Sequence, residues 1–175
     1  MFNHRLPKLN DVLSVYAVIA TMLFAWSALL FFWYLPSWMH FMLIGEIAAT
    51  FSYVIVASFL EGLSFLLFLL VLCFFLPPEY LRDEFAARGT ALTLPIIGMI
   101  MIYFRITNEN IARIIFSVTG LVISLVIVLL FYFLANNPRI KTALAALADR
   151  FTVFLYILIP IFVLSLLSIA VQNIF

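Results

Sequence analysis

The run HFMLIGEIAATFSYVIVASFLEGLSFLLFLLVLCFF, from His40 to Phe75, decides the fold. Beyond His40, its only acidic or basic residues are Glu46 and Glu61. A bilayer core takes about 20 apolar residues per helix, within a range of about 17–25. The run is too long for one such span, so the sequence predicts that it folds back on itself. The expected turn lies between Ser58 and Ser64, around Glu61-Gly62, where an acid and a glycine interrupt the apolar residues. This gives one helix over about 39–59 and a second over about 63–76, the latter stopped by Pro77-Pro78.

The rest of the 175-residue chain reads the same way. It is 67% hydrophobic and 10% charged, with a mean hydropathy of +1.27. A water-soluble domain carries roughly 25% charged residues, and too few remain here to coat an aqueous surface. In lipid a spanning backbone must satisfy its own hydrogen bonds, which leaves helices or a closed barrel. Barrel strands alternate apolar and polar residues; these apolar runs are unbroken, so the expected class is all-α, a polytopic transmembrane helix bundle. No hydrophilic stretch is long enough for a soluble module, so 1–175 reads as a single transmembrane domain.

Outward from the central run, a first helix is expected over about 11–35. Trp33, Tyr34 and Trp38 form an interfacial aromatic belt at its far end, and Pro36 stops it. Although His4, Arg5 and Lys8 precede this helix, its apolar run exceeds the ~7–15 residues of a signal-peptide core, so it reads as retained. Further spans are expected over about 91–104, which contains Pro95, over 114–135, ended by Asn136-Asn137-Pro138, and over 151–171. The total is six, or five if 91–104 is a re-entrant segment. Between them, Arg139 to Arg150 (RIKTALAALADR) places Ile140, Ala143, Leu144 and Leu147 on one face, as a helix in the headgroup plane would. With six spans, Arg5, Lys8, Arg105 and Arg113 fall on one side of the membrane. Arg82, Arg88, Arg139, Lys141 and Arg150 fall on the other. This near balance assigns no orientation by the excess of cytoplasmic bases.

The candidate polar site is a stripe at helical spacing: Glu46, Thr50, Tyr53 and Ala57, extended by Glu61. A carboxylate at the bilayer centre costs roughly 2–3 kcal/mol or more. No Lys or Arg lies inside a predicted span to neutralise it. The functional reading is a proton- or cation-handling face turned into the bundle. The plainer readings are Glu61 at a water-exposed turn and Glu46 snorkelling to the interface. Small residues (Gly45, Ala49 and Ser52; Gly120 and Ser124) suit close helix packing in lipid.

Catalytic and metal chemistry finds no pattern. Cys73 is the single cysteine, so no internal disulfide forms, and no His/Cys cluster has ligand spacing. No glycine-rich phosphate loop is present, and a net charge of +1 offers no basic patch for nucleic acid. In PPEYLRDEFAARG, Asp83, Glu84 and Arg88 resemble the acidic pair plus arginine of CAAX-type intramembrane proteases. The histidines that those enzymes carry on later helices are absent, since His4 and His40 both lie upstream. Glu84 and Arg88 therefore read as an i,i+4 ion pair on a surface helix.

From PPEYLRDEFAARG through ALADRFTVFLYILIP the chain is similar to uncharacterised small polytopic membrane proteins of bacteria. The resemblance implies a bacterial plasma membrane and no activity. The expected role is a non-catalytic membrane subunit, accessory or scaffold protein, with the lipid bilayer, a membrane-protein partner or a second copy as its contacts. No cofactor, metal or nucleic acid is expected. The alternatives are a small transporter or channel using Glu46, and a lipid-acting enzyme using Asp83 and Glu84.

Overall fold

The computed structural model describes residues 6–106, 113 and 116–174. The described residues form five α-helices: α1 (Leu9–Trp38), α2 (Ile44–Phe75), α3 (Phe85–Arg105), α4 (Val118–Leu134) and α5 (Pro138–Ile174). This corrects the expectation of six. Two expected breaks are absent, and each has a physical reason.

The first is the turn at Glu61-Gly62. α2 runs through it as one helix of 32 residues, about 48 Å long at 1.5 Å per residue. A helix longer than the hydrocarbon core tilts and extends its ends into the headgroups. Gly62 serves packing rather than turning. A Cβ there would lie 3.5–3.6 Å from Ile19, Leu23 and Tyr16, so the missing side chain lets α2 lie directly against α1. The second is the junction at Arg150-Phe151. The interfacial helix and the last span are one 37-residue helix, with Pro138 as its first residue, where a missing N–H costs nothing. Pro160 is carried inside it.

The remaining differences are at helix ends. α1 passes Pro36 and ends at Trp38, because proline in a final turn removes one bond and the turn closes through Met39 N–H to Leu35 O at 3.0 Å. α3 begins at Phe85 and crosses Pro95 over 21 residues, so it is a full helix and not a re-entrant segment. The expected span at 114–135 is described from Val118, with the Ser117 hydroxyl accepting from Gly120 N–H.

Four helices (α1, α2, α3 and α5) are long and apolar enough to cross a membrane. The 17 residues of α4 are apolar but shorter. α4 lies along α3, with Tyr103 and Ser124 hydrogen-bonded near one end and Tyr132 OH donating to Tyr80 O at 2.8 Å near the other. α1 is the central helix, packed by α2, α3 and α5. Seven consecutive residues, Ser14 to Ala20, are buried, so every face of α1 is covered for two turns. Around them sit Leu66 and Leu69 of α2 and Phe85 and Ile97 of α3, with Leu155 and Leu158 of α5.

Consecutive helices run in alternating directions, so the fold sorts the charges by end. Lys8, Arg82, Arg88, Arg139, Lys141 and Arg150 fall toward the end where α1 begins, and Arg105 and Arg113 at the other. This asymmetry predicts that the α1-start end faces the cytoplasm. In bacteria, alkaline phosphatase joined after His40 is expected to be active, and the same enzyme joined after Asn137 inactive. The reverse pattern would refute the orientation.

Candidate functional site

Beyond Ala20 the covering of α1 opens. A lateral groove of about 750 Å3 lies along α1 between α2 and α3. Its wall on α1 runs from Leu23 to Tyr34, about 16 Å at helical rise. Most of the lining is bulky and apolar: Trp26, Leu30, Phe65, Ile100, Met101 and Phe104 are examples. Two charged residues line it as well. Arg105, at the end of α3, stands at the mouth with its guanidinium 4.8 Å from the centre of the Trp33 ring, a cation–π contact. Glu61 lies on the α2 lip of the groove, next to Gly62, which abuts Tyr16, Ile19 and Leu23 of α1.

The depth of Glu61 follows from α1. Trp33 marks the level of Arg105, and Leu23 marks that of Glu61; ten residues of helix separate them, about 15 Å. With Trp33 at the interface, as an aromatic belt would place it, that spacing would set Glu61 halfway through a core about 30 Å thick. Glu61 is exposed at the groove lip. Among the described residues no hydrogen bond or ion pair reaches it. Nearby polar groups are engaged elsewhere: Ser58 Oγ donates to Val54 O at 2.8 Å and lies 2.7 Å from Ser27 Oγ, which ties α2 to α1 one turn above.

The four residues expected from the sequence, Glu46, Thr50, Tyr53 and Glu61, do share one face of α2, because the helix is unbroken. That face is opposite the one carrying Ser52, Ile55, Ser58 and Gly62, which is buried. The stripe therefore looks outward, with Tyr53 half-exposed. Glu46 sits in the first turn and accepts the Leu43 N–H at 2.8 Å. It satisfies a helix-start donor, at the helix end where the dipole suits an acidic side chain. Thr50 donates to Glu46 O at 2.8 Å. Only Glu61 also borders the groove. Arg105 carried no sequence signal as a groove residue, because its place depends on Trp33, which lies on another helix.

The opposite end of the bundle holds the ionic groups. Glu84 precedes α3 and pairs with Arg88 Nε at 3.3 Å, as the i,i+4 spacing predicts. It also accepts from Lys141 of α5, which the sequence did not indicate. Arg88 in turn donates to Glu79 O and lies 5.9 Å from the Tyr132 ring centre on α4. Buried Ser14 donates to Asp149 at 3.0 Å, joining α1 to α5. These contacts join the starts of α1, α3 and α5 and the end of α4. Asp83, Glu84 and Arg88 lie at the end away from Arg105 and His40, so no single cleft collects them. Among the described residues no group of three or more His, Cys, Asp or Glu could hold a metal ion.

The Lys141 hydrogen bond, aided by the Arg88 charge, holds the Glu84 carboxyl below its usual range against a smaller opposing effect of burial. A carboxyl lowered on folding contributes stability that is present above its unfolded value of about 4.3. That stability is lost as pH falls through the lower folded value. Lys141 is 40% exposed, so the loss is at most about 1 kcal/mol. Thermal unfolding in detergent should show wild type losing more than Glu84→Gln between pH ~7 and pH ~3. Equal losses would remove Glu84 from the acid response.

No family model matches the chain, and no curated protein or solved structure is detectably similar to it.

Proposed function

We propose that the protein is a non-catalytic accessory subunit of a bacterial plasma membrane, working by holding a partner within the bilayer. One observation carries the reading: Glu61, near the middle of α2, has no partner among the described residues and stands at the lip of a groove that opens sideways between α2 and α3. Ionisable groups at that depth are costly, and as a rule they are paired or facing a cavity. A monomer that keeps one unpaired at an open lip is incomplete without an occupant. The groove also stops at mid-depth, where Ser14 to Ala20 are covered on all sides. A carrier working through Glu46 finds less support, because that carboxylate is engaged in capping α2.

The test is photo-crosslinking in native membranes. A photoreactive residue at Leu30 or Ile100, both in the groove wall, is expected to capture a discrete polypeptide. The same residue at Val153, on the outer face of α5, should capture lipid alone. Lipid capture at all three positions would overturn the proposal.

A further inference from the structure

Resting on the groove as a partner site, the geometry points to its occupant: one transmembrane helix of another polypeptide, with a lysine or arginine near its midpoint that pairs with Glu61. The depth of Glu61 makes the argument. About 15 Å below the level of Arg105 and Trp33, a phospholipid presents only hydrocarbon. Its headgroup charges and ester groups stay near the surface. A polypeptide helix can bring an ammonium or guanidinium group to mid-bilayer.

The outward face of α2 beside the groove leaves room for a helix seated at its lip. Ala57, Glu61 and Ser64 follow one another at four and three residues and are all exposed. Small side chains one turn on either side of Glu61 let a second backbone approach closely. Ser64 is already bonded to Leu60 O at 2.9 Å, so the carboxyl is the group left to be satisfied.

A second copy of this chain does not fit. Every described Lys and Arg lies outside the middle of the spans. A two-fold pair built on this face would bring Glu61 toward Glu61, and like carboxylates disfavour each other's charge. The partner must supply the base that the described residues do not place at this level.

The probe is a synthetic leucine/alanine helix of about 20 residues with one central lysine. It is reconstituted with the full-length protein in phosphatidylcholine vesicles, and association is read by energy transfer. The lysine helix is expected to bind wild type about tenfold more tightly than its leucine-centred twin, in line with single polar contacts between membrane helices. That preference should vanish in Glu61→Leu, fall in the near-isosteric Glu61→Gln, and persist in Glu46→Gln. Equal binding of the two helices to wild type, or an undiminished preference in Glu61→Leu, would overturn the pairing. If groove crosslinks capture a protein while the lysine helix shows no preference, the partner site stands and its basic partner falls. If they capture phospholipid alone, both fall.

Discussion

Gly89→Leu is expected to abolish recovery of folded protein, whereas Gly62→Ala leaves it intact. Both glycines face α1, and the difference between them is a few tenths of an ångström. A Cβ at Gly89 would lie 3.1 Å from Val15 Cγ2 and 3.4 Å from Val15 Cγ1, with Phe85 Cε2 at 3.7 Å. Val15 and Phe85 are both fully buried. A β-branched valine in a helix is held in essentially one rotamer, and here it has covered neighbours on every side. It cannot swing away. Overpacking of a filled core costs about 1–3 kcal/mol for a few added methylenes, and leucine adds its branch to a position that is tight for a single carbon. Gly89→Ala should fall between, since alanine gains about 0.8–1 kcal/mol of helix propensity over glycine against part of that strain. At Gly62 the nearest atoms would be 3.5 Å away, an ordinary contact, so the propensity gain is unopposed. Size-exclusion profiles and thermal unfolding in detergent read the series. A monodisperse Gly89→Leu with wild-type unfolding would mean that α3 does not pack on α1 at this point.

The contrast shows what sequence could and could not carry. Composition excludes a soluble surface, because 10% charge cannot clothe one, and the unbroken apolar runs point to helices rather than barrel strands. The paired prolines at 77–78 and the Asn-Asn-Pro at 136–138 marked real boundaries, since proline ends a ladder or begins one. Bilayer thickness is not a ceiling on helix length. α2 and α5 both exceed it, and each continues as one unbroken helix where a turn or junction is expected. A glycine beside a glutamate looks like a break when read locally. What makes it a helix interior is the surface of α1 opposite, at Tyr16, Ile19 and Leu23, which lies some forty residues away in sequence. The placement of the polar stripe depends on packing in the same way. A helix over about 39–59 sets Glu46 about two turns in, whereas α2 starts at Ile44 and Glu46 is in its first turn. A turn at Glu61-Gly62 would put Glu61 in water, whereas α2 runs through it unbroken. The stripe was legible; its depth and outward direction depended on packing.

The same point sets the second expected result. In a Cys73→Ala background, Ser64→Cys should not react with a membrane-impermeant maleimide, and Glu79→Cys should react fully once the α1-start end is accessible. Ser64 is exposed, but it lies near the middle of α2 and three residues from Glu61. Its surroundings are therefore hydrocarbon or an occupant of the groove. A thiol there stays protonated, and the thiolate is the reactive form. Glu79 lies in the connection between α2 and α3, at the end rich in charge. After denaturation in detergent both cysteines should label equally, which separates protection from a failure to react. The alternative fold makes the opposite claim. If the chain turned around Glu61-Gly62, Ser64 would stand at a water-filled bend and would label like Glu79. That single result would divide α2 in two and return Glu61 to the surface, taking with it the unpaired mid-depth carboxyl on which the partner helix depends. Protection at Ser64 would instead place Glu61 where only another buried group can satisfy it.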